Sequence, residues 1–175
     1  MIGDAHNVVV RAAASSARRV LDEEGRVHGM QVNELAAREA IRDLVARYNL
    51  YGDSGRLDEM LTLFTDDGVL QYSDGHGRLE SYSGQVQIRQ FVEQTKQRWA
   101  EEAAAGRASP YVRHHVSTHV IDVLDPDRAT GRAYVLVLRA SGLAEWGRYF
   151  DDYRRVDRRW LFARRVARRD EIAPS

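Results

Sequence analysis

Between Tyr111 and Asp122 the chain reads YVRHHVSTHVID, a strand-like stretch that holds His114, His115 and His119. An imidazole with an ordinary pKa of about 6.5 is a usable proton acceptor at neutral pH. Side chains alternate along a strand, so strict alternation places Arg113, His115, Ser117 and His119 on one face and His114, Val116, Thr118 and Val120 on the other. If the first face lines an enclosed space, His115 and His119 point into it beside Arg113; otherwise it is a solvated polar face. A second odd face comes from WGRYFDDYRRV, where Gly147, Tyr149, Asp151 and Tyr153 fall together. Aromatic surface, one carboxylate and a gap left by glycine make either a pocket wall or a mixed interface between copies. A third group is RYNLYGDSG, where Tyr48 lies on an apolar helical stripe that Tyr51 continues and Asp53 sits just past the helix. That carboxylate either reaches an imidazole of the histidine strand or is a solvated turn residue.

These groups need elements to hold them. Asn33 is a suitable N-cap for a helix that carries Ile41, Leu44, Val45 and Tyr48 on one stripe and stops around Gly52 to Gly55. RLDEMLTLFTDD predicts a second helix with Leu57, Met60, Leu61 and Phe64 inward, closed by Asp66 and Asp67. GVLQYSDGHGRLESYSG reads as a hairpin with His76 at its exposed tip. A third helix follows Gly84, with Ile88, Phe91, Val92 and Thr95 on one side. Four β segments then run over about 111–124, 129–140, 146–156 and 159–169, joined by turns short enough to make antiparallel neighbours. The pattern is α+β, with helices on one face of a curved sheet. Residues 1–32 form an Ala/Arg-rich leader, helical or poorly ordered, to which no chemistry is given. Residues 33–170 form the domain, and 171–175 a tail.

Bulk properties narrow the function classes. Lys and Arg total 26 and Asp and Glu total 26, so no net field steers the chain to nucleic acid or an anionic membrane. The basic run RRVDRRWLFARRVARR fits one exposed strand face rather than a nucleic-acid signature. With no cysteine, disulfides, thiolate nucleophiles and Cys-type metal sites are excluded. The histidine spacing matches no helical metal motif, so no metal is expected. No apolar run approaches a membrane span and no signal peptide is evident, which makes a cytoplasmic address the default.

Taken in order, RYNLYGDSGRLDEMLTLFTDDGVLQY, YSG, RHHVSTHVIDV and GRYFDDYRRVDRRWLFARR resemble the SnoaL-like branch of the nuclear-transport-factor-2-like (NTF2-like) superfamily over about residues 34–170. That resemblance implies a cone-shaped α+β barrel, a curved antiparallel sheet wrapped by about three helices around one pocket. It also implies association into homodimers or higher homo-oligomers. Members include scytalone dehydratase, bile-acid dehydratase and a hexachlorocyclohexane dehydrochlorinase, and also non-catalytic small subunits of ring-hydroxylating dioxygenases. The dehydratases carry an Asp after the first helix and a His on the long strand, which match Asp53 and His115. Tyr48 matches a Tyr five residues before that Asp, and Tyr72 matches a pocket Tyr. The chain departs from scytalone dehydratase in having no second His in YVLVLRA, with His119 as the nearest substitute, and in having Tyr149 near its pocket Asn.

What the resemblance implies is a cofactor-free lyase or isomerase acting on a hydrophobic, oxygenated small molecule. His115 would be the base, Asp53 would orient it, and Tyr48 and Tyr72 would bind the substrate oxygen. Tyr149, His119, Tyr51, Arg113 and Asp151 would line the pocket. A carboxylate on the far ring nitrogen fixes the tautomer and stabilises the imidazolium that forms. Such a pair supports loss of water, double-bond migration or ring closure. The alternative is a ligand-binding module or small oxygenase subunit of the same fold.

Overall fold

The computed structural model describes residues 26–27, 30–106 and 111–172. The chain divides into two compact units, residues 1–39 and 40–175. In the first, β1 (Arg26–Val27) pairs antiparallel with β2 (Met30–Gln31). Helix α1 (Val32–Ser54) begins there, and its first turns carry an Arg38–Glu34 ion pair at 2.8 Å.

The second unit holds the rest of α1 and every residue of functional interest. Ile41, Leu44 and Val45 are buried at the spacing of one helical face. Gly55 then takes φ +71, and its N–H bonds the carbonyl of Gly52 at 3.1 Å. A left-handed residue just past the last helical one closes the helix, and glycine adopts it without a Cβ clash. This stop fixes Asp53 in the final turn.

Helix α2 is only Leu57–Leu61. The expected longer helix ends early because Phe64 already belongs to β3 (Phe64–Ser73), paired with Phe162. Asp66 and Asp67 therefore sit at an irregularity in β3 rather than at a helix end, exposed, with Asp67 ion-paired to Arg154. Strand β4 (Leu79–Ser83) completes the hairpin, and α3 (Gly84–Ala104) follows. Ile88 on α3 is fully buried.

The meander is β5 (Arg113–Asp125), β6 (Arg128–Arg139), β7 (Gly142–Val156) and β8 (Arg159–Ile172). The sheet order is β4-β3-β8-β7-β6-β5. The meander pairs are antiparallel, as expected, and the β3–β8 junction is parallel. Asp157 and Arg158 carry φ 48 and 64, so a two-residue turn with two left-handed positions joins β7 to β8. The floor of this unit is aromatic. Phe64, Phe162 and Tyr153 are almost wholly buried, with ring centroids 5.2 Å apart for Phe64–Phe162 and 5.6 Å for Tyr153–Phe162. Burial of each such side chain contributes roughly 2–3 kcal/mol. Among the described residues, no helix is long and apolar enough to cross a membrane.

Candidate functional site

The inner face of the sheet is identified by which cross-strand partners are buried. His114 pairs with Val137 and Val116 with Val135, both buried, whereas His115 pairs with Leu136 and Ser117 with Tyr134, both exposed. The inner row of β5 thus starts with His114. Past Ser117 the register shifts by one residue, and Thr118 takes φ +50. This bulge changes the parity of the strand. His119 and Ile121 then turn inward, where His119 is half-buried and Ile121 is 1 % exposed.

Asp53 meets the inward imidazole of His114. Its Oδ1 lies 2.5 Å from His114 Nδ1, and its Oδ2 accepts the backbone N–H of His114 at 3.0 Å. The carboxylate side chain is 8 % exposed and the imidazole 24 %. A carboxylate only accepts, so the proton of the neutral ring belongs on Nδ1. Nε2 is left with its lone pair for the cavity that His114 lines. The expected partner of Asp53 was His115. That residue is exposed on the outer face, one position out of phase.

The cavity measures about 620 Å³. Its apolar walls come from Met60, Leu70, Phe91, Val92, Val137 and Trp146. Phe91, Val92 and Thr95 of α3 face it, as their spacing predicts. Tyr48, Tyr72 and Tyr149 also line it. Burial pushes all three phenols above their ordinary pKa, opposed at Tyr48 and Tyr149 by the Arg165 cation and at Tyr72 by Arg169. They therefore stay protonated across the neutral range, as hydrogen-bond donors. Tyr149 donates to Asn49 Oδ1 at 3.0 Å, and Asn49 in turn donates to the carbonyl of Val45 at 2.9 Å. Asn49 was not singled out from the sequence. The available signal was a polar residue one turn past Val45 on a buried stripe.

Beneath the cavity lies a second polar group. Arg165, fully buried, bonds Asp151 through Nε to Oδ1 at 2.9 Å and through Nη2 to Oδ2 at 2.7 Å. Its guanidinium stands 4.1 Å from the ring centroids of Tyr149 and Phe162 and 4.3 Å from that of Tyr48. Among the described residues, its Nη1 is the one buried side-chain polar atom without a hydrogen-bond partner. The aromatic faces around the guanidinium partly compensate its lost hydration. Tyr153 donates to Asp151 Oδ2 at 2.8 Å, and His119 Nε2 lies 3.3 Å from the Tyr153 hydroxyl.

Four expected pocket residues thus stand elsewhere. Asp151 is consumed by the Arg165 ion pair, because its row of the sheet lies in the closed floor. His119 joins that floor through the bulge. Arg113 is exposed on the outer face, donating to the carbonyl of Val112 at 2.6 Å. Tyr51 lies outside the cavity, under the Arg56 guanidinium at 4.6 Å, and accepts from Arg47 at 3.3 Å. Helical rotation carries Tyr51 off the face that Tyr48 occupies.

The chain resembles several solved structures. A candidate scytalone dehydratase from Novosphingobium aromaticivorans is 22% identical, with 82% of this chain and 90% of that one covered, at a TM-score of 0.64. Hexachlorocyclohexane dehydrochlorinase LinA-type3 from Novosphingobium barchaimii is 19% identical, covering 82% and 93%, with a TM-score of 0.62. The β subunit of a candidate aromatic-ring-hydroxylating dioxygenase, also from N. aromaticivorans, is 22% identical, covering 81% and 94%, with a TM-score of 0.62. At these identities the likeness shows the shared fold. No curated protein matches the chain. The SnoaL-like domain matches residues 33–166, which takes in α1, α3 and nearly the whole sheet, and the chain belongs to the SnoaL-like family.

Proposed function

We propose that the protein is a cofactor-free lyase or isomerase that removes a proton from an apolar, oxygenated small molecule. The base is His114 and the residue that orients it is Asp53. The observation that carries this reading is the two-point hold of Asp53 on His114, at 2.5 Å to Nδ1 and 3.0 Å to the backbone N–H. It fixes both the ring and its tautomer, and it leaves Nε2 as the basic nitrogen of a residue that lines a cavity with apolar walls. In the reaction Nε2 takes a proton from a C–H next to a carbonyl, and the electron pair of that bond moves into an enolate. The pair then expels a leaving group from the next carbon or returns to a different carbon with the proton. Asp53 stabilises the imidazolium formed in between. Tyr48 and Tyr72, kept as neutral phenols, donate to the enolate oxygen or to a departing hydroxyl.

A binding module or oxygenase subunit of the same fold is the rival reading, favoured by the likeness to a dioxygenase β subunit. Such a module does not require a tautomer-locked imidazole on its cavity wall. The two are separated by deuterium uptake from D2O into a cyclic ketone such as 2-tetralone, followed by mass spectrometry. General-base catalysis is expected to raise exchange by at least about 100-fold over solvent. His114→Gln should abolish that gain and His115→Gln should keep it. Exchange that survives His114→Gln, or that never exceeds the solvent rate, refutes the proposal.

A further inference from the structure

The proposed proton transfer takes its donors from Tyr48 and Tyr72 and leaves Tyr149 without a task. The amide of Asn49 decides what Tyr149 can do. Its Nδ2 donates to the carbonyl of Val45 at 2.9 Å, and that carbonyl can only accept. The orientation of the amide is thereby fixed, with Oδ1 facing the Tyr149 hydroxyl at 3.0 Å. An amide oxygen only accepts as well, so the phenol must donate. Burial raises the Tyr149 phenol above its ordinary pKa, opposed by Arg165 and reinforced by Tyr48, Asp151 and Asp53. The proton therefore stays on the phenol and is committed to Asn49. To any other group Tyr149 offers only an oxygen lone pair.

Both partners of this bond line the cavity, and both are nearly closed off from solvent, Tyr149 at 4 % and Asn49 at 7 % exposure. Arg165 lies over the face of the Tyr149 ring, 4.1 Å from its centroid, and bonds Asp151 through Nε and Nη2. Its Nη1 bonds nothing, and among the described residues none donates to the Tyr149 oxygen. Asn49 precedes Asp53 by one turn of α1, which puts this acceptor on the same wall as His114. Other acceptors line the cavity too: His114 Nε2 and the carboxylates of Asp74, Glu80, Glu102 and Glu145. The four carboxylates are half-buried and stay partly open to solvent. A hydrogen bond discriminates most where water cannot replace it, which favours the closed-off Tyr149 over them.

We infer that Tyr149 recognises a hydroxyl on the ligand: its oxygen, with its own proton given to Asn49, accepts the ligand O–H, so the cavity takes hydroxylated apolar molecules in preference to their ethers. A hydroxyl held in this way is one that stays on the molecule, since Tyr149 has no proton to give to one that leaves. Naming the hydroxylated molecule as a substrate rests on the proposed function, while the acceptor role of Tyr149 does not.

The test is fluorescence titration of the full chain with 2-naphthol and 2-methoxynaphthalene. The two share their rings and an acceptor oxygen, and only the naphthol can donate. The naphthol is expected to bind about tenfold more tightly, the worth of one buried hydrogen bond. Tyr149→Phe should bring the ratio toward one by weakening the naphthol. Asn49→Leu removes the acceptor that holds the phenol proton, so Tyr149 becomes free to donate to the ether oxygen. The ratio should then fall because the ether binds more tightly, a change that loss of a packing contact does not produce. Equal affinities in the wild-type protein, or saturable binding of neither probe, overturn the inference. A preference that survives Tyr149→Phe belongs to another acceptor, His114 Nε2 or a rim carboxylate, and overturns it too. Should Tyr149→Phe not fold, Asn49→Leu decides: tighter ether binding supports the acceptor role, and an unchanged ratio overturns it. His114→Gln is expected to keep the ratio, so loss of the hydroxyl preference and loss of deuterium uptake are read separately.

Discussion

Replacing Asp53 with Asn tests the dyad without changing its shape. Asp53 accepts twice, from Nδ1 and from the backbone N–H of His114, at a site where its side chain is 8 % exposed. Asn keeps one acceptor and turns the other into a donor. If its oxygen faces Nδ1–H, its NH2 opposes the backbone N–H, two donors without an acceptor. If its oxygen takes the backbone N–H, its NH2 donates to Nδ1 and the ring proton moves to Nε2. The backbone cannot tautomerise and the ring can, so the second arrangement wins. An unmet buried donor costs about 2 kcal/mol, which sets the population of the reactive tautomer. Losing the charge-assisted bond to the imidazolium removes about 2 kcal/mol more from the transition state. Together these slow proton transfer by about a thousandfold. Long-range 1H–15N correlation of the His114 side chain reads the tautomer, and deuterium uptake into 2-tetralone reads the rate. A variant that keeps the Nδ1–H form and exchanges within about threefold of wild type would refute the orienting role, since that role requires both to change.

Two further outcomes follow from the closed floor. Burial holds His119 below its ordinary pKa, with Asp151 opposing and Arg165 and Arg42 adding to the shift. The unfolded chain then takes up a proton that the folded one resists. Stability therefore falls as pH drops below about 6.5, until the folded-state pKa is passed. His119→Gln should flatten this part of a melting-temperature profile between pH 7 and 5.5, and an unchanged slope would contradict the assignment. Asp151→Ala strands a fully buried guanidinium and should cost about 3–5 kcal/mol in urea denaturation. Asp151→Leu/Arg165→Met should recover most of that loss, and a double variant no better than the single one would count against the pair.

The element order and the strands of the meander were legible because each carries its own period and its own turn. Gly55 stops α1 at a left-handed position that suits glycine, and the β7–β8 turn falls at Asp157–Arg158, between the two segments that the sequence divides there. The choice between His114 and His115 was not legible, because it depends on which face of β5 is covered. That is settled by Val135 and Val137 on the neighbouring strand and by the one-residue shift after Ser117. A bulge seeded by Thr at φ +50 leaves no compositional trace, since Thr is an ordinary strand residue. Strict alternation therefore put His115 with His119, when His114 and His119 are the two that turn inward. The second helix is present, but its end was misplaced for a related reason. Leu57, Met60, Leu61 and Phe64 keep helical spacing, but pairing of Phe64 with Phe162 draws that residue into the sheet.

The face Gly147–Tyr149–Asp151–Tyr153 looks uniform in sequence yet serves two environments. Gly147 and Tyr149 line the cavity, whereas Asp151 and Tyr153 lie beneath it with Arg165. The division has a physical basis. A Cβ at Gly147 would stand 2.1 Å from the carbonyl oxygen of Arg168, so only glycine lets β7 and β8 approach this closely beside the cavity. Two rows further along β7, Asp151 meets Arg165 instead, and the guanidinium fills the space with its rings and its partner. A buried ion pair is a poor source of stability in itself. What this one does is set the places of Tyr48 and Tyr149, whose rings cover the guanidinium while both side chains line the cavity. The charge in the floor and the phenols above it are thus one arrangement. Repacking the pair with apolar groups would keep the fold but free the two tyrosines, and with them the geometry presented to a substrate oxygen.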